Sequence, residues 1–345
     1  MKIRKISLLS FLFLIAISCE KKNEETKEIT KILFLSRRVD NSPDKYMYIM
    51  NLDGSEQKLV CDLSVNSTPV ISDKYKKIAF HHISIDSDEI YTINYDGKGL
   101  QLIDKSKIEC RAPDLSNMNS EIIYTKSLND SIDGIYISDF NNHRLLLDSL
   151  HWTFYAKFTP NSEIIALIHD SELYFKRRDR TSKKELITIA RDFPQWSPSG
   201  KKFAIELFGE ECSSQIAIAN ADGSDIKQLT TSFFHNTDLG RCSYGNERPI
   251  WSPDESKIIY VSRADSGQYR IFCMNSDGSN QIRLTNFYST NPAITPDGKK
   301  IVFNAIRNKE QDSEIYIMDI DGKNQTPITN YKDEDFSPII IKMPY

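Results

Sequence analysis

A segment of the pattern Pro-x-Trp-Ser-Pro returns along this chain, and its return restricts the possible folds more than any other feature. Pro194-Gln195-Trp196-Ser197-Pro198 recurs as Pro249-Ile250-Trp251-Ser252-Pro253 and again as Pro292-Ala293-Ile294-Thr295-Pro296. Each copy leads through a turn into an apolar run, at Lys202 to Ile205, Lys257 to Val261 and Lys300 to Phe303. A polar loop follows, then a second alternating run such as Glu314-Ile315-Tyr316-Ile317-Met318. An Asp-Gly turn and a short fourth run close the unit. Degenerate copies extend upstream, so the anchor position falls at Ile71, Leu115, Phe158, Trp196, Trp251, Ile294 and Ile340. The steps are 44, 43, 38, 55, 43 and 46 residues. A period of about 40–45 residues with four short strands per unit is the signature of a propeller blade.

The turns agree with this reading. Asp53-Gly54, Asp96-Gly97, Asp222-Gly223, Asp277-Gly278 and Asp321-Gly322 all fall between the third and fourth runs, where a tight hairpin needs residues that tolerate positive φ. Blades 3 and 4 have Asn141-Asn142 and a longer charged turn near Asp179 instead. With strands lettered a to d outward from the axis, the first blade shows b (Ile32–Ser36), c (Tyr46–Asn51) and d (Gln57–Cys61) but no a. Pro338-Ile339-Ile340-Ile341-Lys342 at the chain end has the strand-a pattern and no blade of its own. The expectation is an all-β, seven-bladed β-propeller over residues 31–345, with blade 1 closed by the C-terminal strand. Closure removes the open sheet edges that invite aggregation. Tyr (16) and Phe (17) are abundant, as strands favour.

Residues 1–18 read as a signal peptide. Lys2, Arg4 and Lys5 precede the compact apolar run Ile6 to Ile17, which is too short to span a bilayer as a mature helix. Cys19 directly follows the small Ser18 and resembles the acylated cysteine of a bacterial lipobox, with Ala16 where leucine is usual. The charged stretch after it makes residues 19–30 a lipidated tether. An acylated Cys19 implies a protein anchored to a membrane of the bacterial cell envelope, not spanning it. The formal net charge of −4, without a lysine or arginine block, argues against a nucleic-acid partner.

The repeats resemble the TolB-like repeat, a WD-type propeller unit with the signature Pro-x-Trp-Ser-Pro-Asp-Gly-Lys. The resemblance covers residues 31–345 and is strongest in blades 5 to 7. TolB itself carries a six-bladed propeller behind an α/β domain, for which this sequence leaves no room, so TolB's own envelope role is not implied. Propeller-bearing prolyl peptidases have similar repeats together with a hydrolase domain, and this sequence contains no Gly-x-Ser-x-Gly elbow.

Irregularity concentrates on one face, called top, which carries the b–c loops and d–a connectors. The connector from Thr231 to Arg248 is far longer than the usual loop of about 4–6 residues. It contains Phe233, Phe234, His235, Arg241, Cys242 and Tyr244, a mixture suited to a binding loop or to a cover over a neighbouring blade. His81, His82, His151, His169 and His235 map to the same face. They would serve a metal site or a general base near the channel mouth, as in some seven-bladed polysaccharide lyases, but no metal-ligand spacing accompanies them. Arg37, Arg38, Lys126, Arg263 and Arg307 follow strand b in their blades, among acidic neighbours such as Asp86, Asp170 and Asp265. They make either a ring for an anionic ligand such as an acidic glycan or a mixed, solvated rim.

In an exported protein disulfides persist. Cys212 and Cys242, both at the top of blade 5, are the expected pair, with Cys61 and Cys110 as a weaker second pair and Cys273 as a buried thiol. The residues above support a monomeric, envelope-anchored, non-catalytic binding or scaffolding propeller without cofactor, its ligand an envelope protein or a glycan. The alternative is a polysaccharide lyase-like or other glycan-active enzyme using top-face histidines and arginines. Contact is expected at Phe234, His235, Arg241, Tyr244 and Arg248, with His81, His169, Arg263 and Arg307 around them. Cys19→Ser is expected to move the protein from the membrane fraction to the soluble one. A variant that stays membrane-bound, together with an unmodified wild-type N-terminus by mass spectrometry, rejects the anchor.

Overall fold

The computed structural model describes residues 28–38, 44–129, 132–141, 144–151, 153–179, 185–208, 213–231, 245–263, 267–306, 312–331 and 333–344. They form seven four-stranded antiparallel sheets. Blade 1 begins with β1 (Glu28–Ser36), β2 (Tyr46–Asn51) and β3 (Lys58–Leu59), and blade 2 holds β4 (Val70–Ser72), β5 (Lys77–Ile83), β6 (Asp88–Asn94) and β7 (Gln101–Ser106). Blade 3 holds β8 (Cys110–Leu115), β9 (Glu121–Asn129), β10 (Ile132–Asp139) and β11 (Arg144–His151). Blade 4 holds β12 (Thr153–Phe158), β13 (Ile164–His169), β14 (Glu172–Arg177) and β15 (Glu185–Ile189). Blade 5 holds β16 (Gln195–Trp196), β17 (Lys202–Phe208), β18 (Ser214–Asn220) and β19 (Lys227–Gln228). Blade 6 holds β20 (Asn246–Trp251), β21 (Lys257–Ser262), β22 (Arg270–Asn275) and β23 (Ile282–Arg283). Blade 7 holds β24 (Tyr288–Ile294), β25 (Lys300–Ile306), β26 (Glu314–Asp319) and β27 (Thr326–Pro327). The last strand, β28 (Asp335–Pro344), returns to blade 1 and pairs with β1 from Glu28↔Pro344 to Ser36↔Asp335. The closure expected from the sequence is therefore present. Strand β1 starts at Glu28, earlier than the boundary at residue 31 that the apolar pattern marks, because pairing with β28 orders polar residues that carry no such pattern.

Alternation along each strand supplies the ring. Ile32 and Phe34 point toward blade 7 and pack with Val302 and Ile315. Leu33 and Leu35 point the other way and pack with Ile78, Phe80 and Ile93 of blade 2. The same period of two repeats at Ile258 and Tyr260, which face blade 5, and Ile259, which faces blade 7. Among the described residues each of the seven blade-to-blade interfaces has its own apolar cluster.

The repeated polar residues are turn devices. Ser252 Oγ donates to Asp254 (2.6 Å) and accepts from the Lys257 amide (2.9 Å), closing the a–b turn. Thr295 makes the same pair of bonds to Asp297 and Lys300. The Ser252 hydroxyl, followed by the Ser256 amide and hydroxyl, holds the Asp254 carboxyl down at about 2. The Ser-Pro-Asp part of the signature is thus accounted for by chain reversal on the bottom face.

One disulfide expectation is corrected. Cys110 opens β8, strand a of blade 3, and packs between blades 2 and 3, whereas Cys61 packs between blades 1 and 2. Both are thiols, as is the buried Cys273 on β22. Spacing along the sequence puts both near the ends of adjacent d strands, but Cys110 starts strand a of blade 3 and a whole blade separates the two cores. Cys212 and Cys242 lie outside the described residues.

Closure carries a testable cost. Ile341 of β28 is fully buried in the cluster joining blades 1 and 2. Ile341→Ala is expected to lower stability by about 2–5 kcal/mol in urea melts, while Ile282→Ala on the exposed outer strand β23 changes it by less than about 0.5 kcal/mol. Removing residues 336–345 should abolish the cooperative transition, and an unchanged melt would reject the closing role of β28.

Candidate functional site

Strand a of each blade lines the axis. In blades 6, 7 and 1 this strand carries a register irregularity, between Glu247 and Ile250, between Thr290 and Ala293, and opposite Leu33 and Leu35. At each one a non-glycine residue adopts a left-handed backbone just before a proline: Arg248 (φ 54), Asn291 (φ 51) and Ser337 (φ 53) precede Pro249, Pro292 and Pro338. Such a conformation is costly for residues with a Cβ, and its recurrence at one structural position marks a constraint the fold imposes. Bulges re-aim side chains, and here all three residues line one cavity at the mouth of the channel.

That cavity measures about 530 Å³ and takes residues from blades 1, 2, 5, 6 and 7, among them Thr68, Asp192, Glu206, Arg248, Asn291 and Ser337. Two smaller cavities adjoin it. One of about 280 Å³ shares Arg248 and Asn291 and reaches outward over blades 6, 7 and 1. The other, about 360 Å³, shares Asp192 and Phe193 and reaches over blade 4 through Tyr155 and Asp170. The top face thus carries a connected depression across the axis.

Its polar groups are held in place. Glu206, on the apolar β17, is buried and accepts the Arg248 amide at 2.5 Å. Burial pushes its carboxyl up to about 7, against the lowering effect of that amide. The Arg248 guanidinium donates to Thr290 Oγ1 (3.2 Å) and to Asn291 Oδ1. Asn291 Nδ2 donates in turn to Asn304 Oδ1 (2.8 Å).

Among the described residues, His81, His82 and His169 do not converge. His81 is buried beside Asp88, with Nε2 3.4 Å from Oδ2, and desolvation lowers its pKa. His82, next along β5, points to the opposite face, and its Nδ1 lies 2.9 Å from the Ser64 carbonyl and 3.3 Å from Ser64 Oγ. A ring nitrogen that donates to the carbonyl cannot serve as base for that hydroxyl, so the pair is no activated nucleophile. His169 sits at the end of β13 beside Asp170, 3.6 Å away. No group of three or more metal-ligating side chains exists among the described residues.

The basic residues divide in the same manner. Arg38 is bound by the buried Asp335 (2.5 Å) and Lys126 by Asp104 (3.1 Å). Arg263 lies over the Tyr269 ring, 4.6 Å from its centroid. Arg38, Lys126 and Arg263 are thus each engaged within the protein. Of the expected contact residues, Arg248 reaches the mouth, while Phe234, His235, Arg241, Tyr244 and Arg307 lie outside the described residues, as does Cys19. Sequence reasoning missed Glu206, Asn291, Ser337 and Lys45. A signal existed for two of them, since both precede the proline of the repeat as Arg248 does.

The TolB beta propeller domain family matches residues 148–341. The chain is 25% identical over 166 residues to the uncharacterized peptidase YuxL of Bacillus subtilis (strain 168), a match that covers 36% of this chain and 24% of that protein. The chain therefore spans about a quarter of that relative's length. Its fold is similar to TolB from Acinetobacter baumannii (TM-score 0.53, 17% identity, 90% of this chain and 82% of that one). It is also similar to oligogalacturonate lyase from Vibrio parahaemolyticus (TM-score 0.62, 12% identity, 84% and 86%). At these identities the structural likenesses establish the fold.

The raised Glu206 carboxyl predicts a pH-dependent stability. Its value is about 7 in the folded protein against 4.5 ordinarily. Between those values the native state holds a proton that the unfolded chain releases, so the stabilisation is complete below about 4.5 and is lost as pH rises through about 7. Glu314, also pushed up to about 7 by burial, adds to the slope with the same sign. Stability should fall by roughly 1–3 kcal/mol from pH 5 to 8 on account of Glu206, with a smaller, solvent-screened share from Glu314, and Glu206→Gln should flatten the profile without abolishing it. An unchanged slope in the variant refutes the assignment.

Proposed function

The chain belongs to the TolB beta propeller domain family, and from that premise we propose that it is a non-catalytic binding propeller that presents the channel mouth to an envelope protein or glycan. The observation that carries this reading is the connected depression across the top face, with side chains from five blades fixed around its central cavity. Ligand sites are concave, largely pre-formed, and carry a few oriented polar groups. Arg248, Asn291 and Glu206 supply such groups, each held by a neighbour before any ligand arrives.

Anchoring through Cys19 suits this geometry. Lys76, in the a–b turn of blade 2, bonds Glu28 at 2.6 Å, so β1 begins on the bottom face. Nine positions separate Glu28 from Cys19, at most about 30 Å of extended chain. A lipid at Cys19 would attach the chain from the side of the bottom turns, opposite the mouth.

One observation favours a glycan-active enzyme as the second reading. Glu206 lies in the mouth with a carboxyl near 7, the range a general acid needs. Loss of any glycan-cleaving activity in Glu206→Gln would support that alternative.

Photo-cross-linking in intact cells tests the leading reading. A cross-linker at Asn291 in the mouth is expected to capture a partner or glycan, and one at the exposed Asp277 of a bottom turn is not. Capture from Asp277 alone places the working face on the bottom and rejects the proposal.

A further inference from the structure

The cavity of about 280 Å³ over blades 6, 7 and 1 has a chemistry distinct from the rest of the mouth. Three cationic residues from two blades line it, Arg37, Lys45 and Arg248, against one carboxylate, Glu334. Glu334 pairs with Arg37. The Arg248 guanidinium donates to two neutral oxygens, of Thr290 and Asn291, and its charge also acts on the carboxyls of Glu206 and Glu247, both of which burial holds toward the neutral form. The Lys45 ammonium lies over the Phe336 ring, 5.6 Å from its centroid, and the Arg37 guanidinium approaches the same ring at 5.8 Å. Arg37 Nε is buried without a hydrogen-bond partner among the described residues. An excess of fixed cations whose donors are not saturated is the recognition half of an anion site.

The remaining lining narrows the ligand. Tyr269 and Tyr288 meet edge to face at 5.5 Å and, with Phe336, give partly exposed ring surface. Thr290, Asn291, Asn304 and Ser313 add neutral hydroxyl and amide groups, bonded in series from Arg248 to Ser313, with the half-buried Asn291 nearest the opening. Cations, flat apolar rings and neutral hydrogen-bonding groups together match a molecule that has a carboxylate, a C–H face and several hydroxyls. A sugar acid has all three, while an acidic peptide offers the aromatic rings no C–H face of a pyranose to stack on. The cavity opens at Arg248 and Asn291 into the axial cavity, so a chain of such sugars has somewhere to continue.

We propose that this cavity binds one uronate residue of an acidic glycan, its carboxylate held by Arg37, Lys45 and Arg248 and its ring laid on Tyr269, Tyr288 and Phe336. The inference deepens the binding reading above and rests on it. Arg37 and Arg248 supply directed N–H donors, Lys45 a point charge. The buried Arg38–Asp335 pair next to Arg37–Glu334 is likewise an arginine with a carboxylate but has no exposure at Asp335, which leaves it to hold the closure while its neighbour faces the ligand.

Calorimetry on the full chain in detergent tests this, with trisaccharides of galacturonate and of glucuronate, their methyl esters, a neutral galactose trisaccharide and triglutamate as probes. At least one uronate should bind, and its methyl ester and the neutral sugar should bind at least tenfold more weakly. Lys45→Gln and Arg248→Gln should each weaken uronate binding tenfold or more with the thermal melt of Lys45→Gln unchanged. Glu334→Gln should strengthen it, a change opposite in sign to that of simple structural damage. Equal binding of ester and acid, absence of uronate binding, or weaker binding by Glu334→Gln overturns the proposal, and tighter binding of triglutamate than of either uronate replaces the sugar with a peptide. Partner capture from Asn291 is read separately, so a mouth that captures a partner but ignores uronates refutes the ligand class and leaves the binding reading standing.

Discussion

Every blade of this protein depends on the antiparallel pairing of β28 with β1. A sheet of four short strands buries its two faces only against neighbouring blades, so a linear row of seven would expose an apolar face at each end. Joining β28 to β1 turns the row into a ring, and the cluster of Ile32, Phe34, Met50, Val302 and Ile315 then fills the seventh interface. A polar lock accompanies it. Arg38 of blade 1 is bound by Asp335 of β28, and its guanidinium stacks on Phe34, Tyr48 and Tyr331 at 5.0–5.2 Å. A buried charge pair of this kind adds little net stability, but leaving either partner alone is costly. It therefore opposes incorrect registers of the closing strand more than it strengthens the correct one.

The same closing strand builds part of the mouth. Ser337 of β28 occupies the left-handed position held by Asn291 in blade 7 and Arg248 in blade 6. Three consecutive blades thus repeat one strained conformation before a proline, and in each the side chain is delivered to the axis. The backbone strain is tolerated because strands b to d of the blade fix the strand on either side of the bulge. Variation in side chain at a constant backbone position, Arg, Asn, Ser, is how a repeat protein makes an asymmetric surface from a symmetric frame. The asymmetry is visible in charge: Asp192 and Glu206 on the side of blade 5, Arg248, Lys45 and Arg37 toward blades 6 and 1.

Family membership fixes the architecture and leaves the chemistry to these side chains. The relative YuxL is matched over about a quarter of its length, within a larger protein, and the neighbours in structure differ widely in what they do. The site has to be argued from Glu206, Arg248 and their partners.

What the sequence determined was the repeat and everything that repeats. The Pro-x-Trp-Ser-Pro segments, the Asp-Gly turns and the period-two runs specify seven blades, their strand order and the return of residues 338–342 to blade 1, because propensity, turn chemistry and burial pattern all act locally and agree. Tertiary structure alone decided which polar residues meet. Glu206 looks like a charge interrupting an apolar strand until β20 brings the Arg248 amide to it, 42 residues later. Arg37 and Arg38 are indistinguishable in sequence, yet one is sealed against Asp335 and the other faces a cavity, since adjacent residues point to opposite sides of an extended chain. His81 and His82 diverge for that reason too, and Cys61 and Cys110 are separated by a whole blade. Long-range placement about the axis follows from ring closure, and no local pattern of residues encodes which side chains that closure brings face to face.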